Sequence, residues 1–163
     1  MCLTQSKLYF ESKTAKAQSD TKELDLVKDS KVLVSGCFDL LHSGHIQFLK
    51  QASSYGRLLV AVGTDKNIEQ LKDQAPYFSQ EERIFMLNSI RYVEEAFPSS
   101  GSGMLDFEPD LKRKKPDFFV VNREGHTKGK EQLCQRLGVK YIVLKRIPYK
   151  GLPAQASSQI KKD

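Results

Sequence analysis

The chain has 163 residues, a net charge of +6 and an apolar fraction of 39%, which suit one globular domain with a single core. No apolar run approaches the roughly 18–20 residues of a membrane span, and residues 1–30 lack the apolar core of a secretory signal. Three cysteines, without a CxxC pair or a zinc-binding pattern, favour a reduced, cytoplasmic compartment and no metal site built by the protein.

The excess positive charge lies outside residues 1–30, which hold equal numbers of lysines and acidic residues. A basic domain can bind nucleic acid, here through the cluster from Leu111 to Lys115. However, aromatic residues do not alternate with basic ones as a base-stacking surface requires. The favoured interpretation is therefore a site for phosphorylated small molecules, and nucleic acid is the weaker alternative.

Residues 1–30 are mostly polar and charged, with one apolar cluster, Leu8-Tyr9-Phe10. This composition predicts a flexible N-terminal arm over residues 1–30. One folded domain is predicted over residues 31–163.

The stretch KVLVSGCFDLLHSGHIQFLK, residues 31–50, predicts a buried strand, a short connection and a helix. His42 and His45 fall at the start of that helix, three positions apart and so on one face. Free backbone N–H groups and the helix dipole make such a helix start favourable for anions. Gly44, between the histidines, leaves room for a ligand to approach the backbone.

Predicted strands alternate with predicted helices along the rest of the chain. The further strands are predicted at residues 57–63, 92–97, 117–122 and 140–145. The further helices are predicted after the Ser79–Glu82 capping box, at residues 105–115 and at residues 130–137. The alternation predicts an α/β fold, a Rossmann-like, doubly wound, parallel five-stranded sheet with helices on both faces. A ligand is expected beyond the carboxyl ends of the strands, where His42 lies.

The run GCFDLLHSGH, residues 36–45, resembles the first signature of the HxGH nucleotidyltransferase superfamily, in particular its cytidylyltransferase-like family. That family includes the glycerol-3-phosphate and ethanolamine-phosphate cytidylyltransferases, and adenylyltransferases for heptose and archaeal FAD synthetases are close relatives. Residues 91–94, Arg-Tyr-Val-Glu, resemble a second segment of the family. The resemblance departs from the family pattern in the loop at residues 122–126 and in a tail that is three residues longer after Arg146.

The resemblance implies three groups of site residues. The implied catalytic residues are His42, His45 and Lys72. The residues implied to bind the nucleotide are Gly36, Cys37, Phe38, Gly44, Arg91, Asn122, Arg146, Ser157 and Ser158. The residues implied to bind the acceptor are Asp39, Arg123 and His126. Arg83 matches a further arginine of the family, one suited to phosphate oxygens.

The reaction implied by the resemblance joins a nucleoside triphosphate to a small phosphorylated polyol or sugar and releases pyrophosphate. CTP is favoured over ATP, Mg²⁺ is expected to bind through the nucleotide phosphates, and a homodimer is expected through residues 76–93. The lack of tryptophan weakens choline and ethanolamine phosphates as acceptors, because a cationic group favours an aromatic cage. The alternatives are an adenylyltransferase of the heptose or FAD synthetase type and a non-catalytic nucleotide-binding module.

Overall fold

The computed structural model describes residues 29–153, so residues 1–28 of the predicted arm and the pair Ser157 and Ser158 lie outside the described residues. Five strands form one parallel sheet in the order β3-β2-β1-β4-β5. The strands are β1 (Lys31–Gly36), β2 (Arg57–Val62), β3 (Glu95–Pro98), β4 (Phe118–Asn122) and β5 (Lys140–Leu144). The predicted α/β fold is confirmed. The reversal of strand order between β1 and β4 makes the carboxyl end of β1 the expected ligand position.

The central strands are buried on both faces, as their continuous apolar sequences predict. Val34 of β1 pairs in register with Val60 of β2, and neither side chain is exposed to solvent. Leu33, next to Val34, points into the opposite core. Layers of helices must therefore cover both faces of the sheet.

Among the described residues, five α-helices between β1 and β5 provide these layers. They are α1 (Ser43–Ala52), α2 (Asp65–Lys72), α3 (Gln80–Asn88), α4 (Glu108–Lys114) and α5 (Lys128–Leu137). Leu49 of α1 and Leu87 of α3 pack into the core on one face. Leu111 of α4 and Leu133 of α5 pack into the core on the other. Gly138 ends α5 with a positive φ of 70°, a conformation that glycine adopts without strain.

The structure corrects the sequence prediction in two places. The stretch after β2, for which the sequence analysis predicts no helix, contains α2, whose N-cap Thr64 accepts a hydrogen bond from the backbone N–H of Asn67. The third strand begins at Glu95 rather than at residue 92, because a turn closed by Val93 N–H and Ile90 C=O precedes it. The predicted capping box of Ser79 and Glu82 is confirmed.

The loop at residues 98–103 is held by two carboxylates. Ser99 Oγ donates a hydrogen bond to Asp106 Oδ2 at 2.6 Å. The Ser100 backbone N–H donates to Oδ2 of the buried Asp110 at 2.8 Å.

Across residues 29–153, no helix is both long and apolar enough to cross a membrane. The homodimer expected through residues 76–93 stays a prediction.

Candidate nucleotide site

His42 is the N-cap of α1, a position that usually favours serine, threonine, asparagine or aspartate. Its backbone is extended, with φ −141° and ψ 173°, and its Nδ1 accepts a hydrogen bond from the Gly44 backbone N–H at 3.1 Å. An imidazole nitrogen that accepts a hydrogen bond carries no proton, so the proton of neutral His42 lies on Nε2. The hydrogen bond that caps α1 therefore leaves Nε2–H as the hydrogen-bond donor of the neutral His42 ring.

His45 packs against His42 at the start of α1. The two rings are stacked with their centroids 3.9 Å apart, and the Phe38 ring approaches His45 edge-on with centroids 5.4 Å apart. Phe38 itself has a positive φ of 49°, so the connection turns sharply just after β1. This turn and the packing fix both imidazoles in one place.

Both histidines are uncharged near pH 7. Burial lowers the pKa of His42, and the nearby positive charge of Arg146 lowers it further. Burial, followed by His42 and Arg146, lowers the pKa of His45 to about 4, although a weak interaction with the Leu40 backbone acts in the opposite direction. The positive charge that disfavours protonation here favours an anionic ligand at the same place.

A cleft of about 260 Å³ opens over these histidines, and we call it the nucleotide cleft after the role predicted for several residues that line it. The start of α1 forms one wall, and the carboxyl ends of β4 and β5 form the other. The predicted residues His42, Gly44, His45, Asn122 and Arg146 all line it. These residues lie together because the carboxyl ends of parallel strands are at the same edge of the sheet.

The nucleotide cleft also contains residues outside the predicted set of site residues. Glu124 forms an ion pair with Arg146 at 3.4 Å, and Tyr149 lies in the segment after β5. Asn122 Oδ1 accepts a hydrogen bond from the Gly125 backbone N–H at 2.7 Å, which folds the chain after β4 into a short 3₁₀ turn. This turn brings Glu124 into the cleft, and no sequence pattern singles it out.

A second cavity of about 260 Å³ adjoins the carboxyl end of β1, and we call it the second cavity. Its walls come from α2, from the turn at Gly103–Leu105 and from Lys130 of α5. The predicted residues Gly36, Cys37 and Lys72 line this cavity rather than the nucleotide cleft. Lys72 is therefore separated from the two histidines with which the sequence analysis grouped it.

Arg83 is buried and holds the site's loops together. Its Nη1 donates hydrogen bonds to the carbonyls of Cys37 at 2.6 Å and Gly63 at 2.9 Å, and its Nε donates to the Phe78 carbonyl at 3.1 Å. Its Nη2 forms an ion pair with Asp65 at 2.5 Å. With its donors engaged in this way, Arg83 fixes the loops after β1 and β2 instead of facing a phosphate.

Asp39, predicted to contact the acceptor, is buried. Its Oδ1 accepts hydrogen bonds from the backbone N–H groups of Tyr77 at 2.8 Å and Phe78 at 3.2 Å. The carboxylate therefore joins the connection after β1 to the segment before α3. This contact gives Asp39 a positioning role next to the cleft.

Three further predicted residues do not line the cleft that lies over the histidines. Arg91 lies beside Arg57, at the amino end of β2 and thus at the opposite edge of the sheet. Arg123 is exposed. His126 Nδ1 lies 3.2 Å from the Tyr141 hydroxyl, and it lines neither the nucleotide cleft nor the second cavity.

The family described as cytidylyltransferase-like matches residues 33–162. The chain belongs to this family. The resemblance seen in residues 36–45 is thereby confirmed, and the protein is nucleotidyltransferase-like.

Among residues 29–153, this cytidylyltransferase-like protein has no cluster of three His, Cys, Asp or Glu side chains that could hold a metal ion.

Curated relatives agree with this assignment, and a solved structure shares the fold. An FAD synthase of Thermococcus kodakarensis is 39% identical over 126 residues, which cover 75% of this chain and 82% of the relative. A glycerol-3-phosphate cytidylyltransferase of Staphylococcus aureus is 39% identical over 95 residues, which cover 58% of this chain and 70% of the relative. The fold matches a lipopolysaccharide core biosynthesis protein from Thermoplasma volcanium, with a TM-score of 0.61, 23% identity and coverage of 74% of this chain and 98% of that one.

The lowered pKa of His45 predicts how stability depends on pH. The unfolded chain, with a histidine pKa near 6.5, binds a proton more readily than the folded protein, in which the pKa is about 4. His45 therefore lowers the free energy of unfolding as the pH falls from about 7 to 4, by about 3 kcal/mol in total. Urea unfolding across this range should show the stability gap between wild type and His45→Gln shifting by that amount in favour of the variant. The exposed His126 supplies the control, and a His126→Gln variant that shows the same shift would contradict the assignment.

Proposed function

We propose that this protein transfers a nucleotidyl group from a nucleoside triphosphate to a phosphorylated acceptor. The observation that carries this proposal is the pair of uncharged, stacked histidines at the start of α1, which face a cleft together with Arg146. Such a site offers N–H donors and positive charge to phosphate oxygens without requiring a nucleophile of the protein's own. Membership of the cytidylyltransferase-like family supports the same reaction class.

In this reaction an acceptor phosphate oxygen attacks the α-phosphorus, and the bond from that phosphorus to pyrophosphate breaks. The acceptor oxygen is already anionic near neutral pH, so the protein needs to position charges rather than remove a proton. His42 Nε2–H and His45 donate to oxygens of the α-phosphate and the leaving group. Arg146 neutralises part of the triphosphate charge. A Mg²⁺ ion that bound together with the triphosphate would supply further charge neutralisation.

We infer that ATP is the nucleotide and that the acceptor resembles flavin mononucleotide. FAD consists of AMP joined to flavin mononucleotide, and the alignment with the Thermococcus FAD synthase covers more of this chain than that with the cytidylyltransferase. The exposed apolar side chains of Leu71 and Met104 beside the second cavity suit an acceptor with an apolar ring better than a small polyol. The second candidate is CTP with glycerol 3-phosphate, which the 39% identity to the Staphylococcus enzyme supports.

Pyrophosphate release with four substrate pairs tests this function. Purified protein with Mg²⁺ is incubated with ATP or CTP, each combined with flavin mononucleotide or glycerol 3-phosphate. We expect ATP with flavin mononucleotide to be at least tenfold faster than any other pair, with FAD as the product on chromatography.

Faster turnover of CTP with glycerol 3-phosphate would replace the first candidate by the second. Binding of a nucleotide without pyrophosphate release from any pair would contradict nucleotidyl transfer to these acceptors. Each nucleotide alone, without an acceptor, measures background hydrolysis.

A further inference from the structure

Lys130 of α5 is a half-buried lysine that the sequence analysis did not consider. Its Nζ donates one hydrogen bond, of 2.9 Å, to the Gly125 carbonyl and lies 5.8 Å from the centroid of the Phe107 ring. An ammonium group has three N–H donors, so two are left over after this contact with the described residues. Lys130 also lines the second cavity, to which these donors are available.

Lys130 forms no ion pair with a described residue, although Asp106, which lines the same cavity, stabilises its charge at longer range. Burial lowers its pKa, and Asp106 acts in the opposite direction, but no described carboxylate lies within ion-pair distance of its Nζ. Asp106 Oδ2 instead accepts hydrogen bonds from Asn67 Nδ2 at 3.1 Å and Ser99 Oγ at 2.6 Å. A partly desolvated cation without a close counter-ion favours an anionic ligand.

The second cavity has further features of a site for an anion with an organic body. Lys72, from α2, brings a second positive charge to it. Ile68, Leu71 and Met104 add apolar surface, which would cover the body of a ligand. Gly36 places the cavity directly at the end of β1, from which the chain continues to His42.

We propose that Lys130 binds the phosphate group of the acceptor in the second cavity and orients it towards the nucleotide, a role that rests on the proposed function. Lys130 is then a determinant of acceptor specificity, because an acceptor without its phosphate has nothing to pair with the half-buried ammonium group. Nucleotide binding is independent of Lys130, since this residue does not line the nucleotide cleft.

Equilibrium binding tests this role without requiring turnover. The probes are flavin mononucleotide, riboflavin and glycerol 3-phosphate, titrated calorimetrically into wild type, Lys130→Met and Lys130→Gln. We expect each substitution to raise the Kd of at least one phosphorylated probe by tenfold or more. The preference for flavin mononucleotide over riboflavin should shrink by a similar factor, while the Kd of ATP or CTP, whichever binds, changes by less than threefold. Lys128→Met, on the same helix but exposed and outside the cavity, should bind all probes like wild type.

The outcomes separate this role from the catalytic one. If no phosphorylated probe binds to wild type, or if Lys130→Met and Lys130→Gln bind them as tightly as wild type does, the role of Lys130 is overturned. If the substitutions weaken acceptor binding but wild type releases no pyrophosphate, the binding role stands and nucleotidyl transfer fails. Thermal melting tests whether the variants are folded. Because two different substitutions are made, the role of Lys130 can still be tested if one variant does not fold.

Discussion

Replacing either histidine of the nucleotide cleft by alanine is expected to lower turnover by about 100-fold or more, the typical loss for a donor that stabilises developing charge. His42→Ala removes the Nε2–H donor and also the N-cap of α1. His45→Ala removes the stacked partner and its N–H donor. Initial rates of pyrophosphate release with saturating substrates measure both losses.

The N-cap of His42 makes a second substitution informative. His42→Asn keeps a side chain that caps a helix, so it should restore the stability lost in His42→Ala, which is about 1 kcal/mol. It should not restore turnover if Nε2–H is the catalytic donor. Gln135→Ala, exposed on α5 and outside the nucleotide cleft, is the control for purification and assay. Near-normal turnover in both alanine variants would contradict the proposed catalytic roles.

Replacing Arg83 by methionine is expected to lower the free energy of unfolding by about 3–5 kcal/mol. The side chain is completely buried, and its loss leaves the carbonyls of Cys37, Gly63 and Phe78 without their donor and Asp65 without its ion pair. Methionine has a similar volume but a shorter side chain, so the loss combines the unpaired polar groups with a small cavity where the guanidinium group lay. Urea unfolding of both proteins measures the difference.

Two further variants test whether the expected loss of stability comes from the hydrogen bonds and the ion pair of Arg83. Arg83→Lys should recover only part of the stability, because one ammonium group cannot reproduce contacts that arise from three guanidinium nitrogens. Arg136→Met, at an exposed position of α5, should change stability by no more than about 0.5 kcal/mol. An Arg83→Met protein within about 1 kcal/mol of wild type would show that water or a rearrangement replaces the network.

The sheet was predictable because its signal is local. Each strand is a short apolar run, and runs such as Arg57–Val62 keep their character whatever surrounds them. The helix α2 was missed for the opposite reason, since its sequence is mostly polar and its stability depends on distant contacts. Asn67, for example, exchanges hydrogen bonds with both backbone groups of Gly103.

The site residues that could be predicted from the sequence are those that the strand topology itself brings to one edge of the sheet. His42, Asn122 and Arg146 lie at or shortly after the carboxyl ends of three parallel strands, and topology alone brings them to one cleft. Arg83 and Lys130 could not be assigned in this way, because a charged residue in a helix gives no sign of burial. Their surroundings come from segments far away in the sequence, which only the folded chain brings together.

Arg83 also links the order of synthesis to the assembly of the site. Its partners Cys37, Gly63 and Asp65 precede it by 46, 20 and 18 residues. A growing chain that has emerged only as far as β2 therefore has the strand and both histidines but not the side chain that ties their loops together. Closing these loops carries an entropic cost that the contacts of Arg83 offset only after α3 has docked. The nucleotide cleft should consequently mature late in folding, after the first two strands have paired.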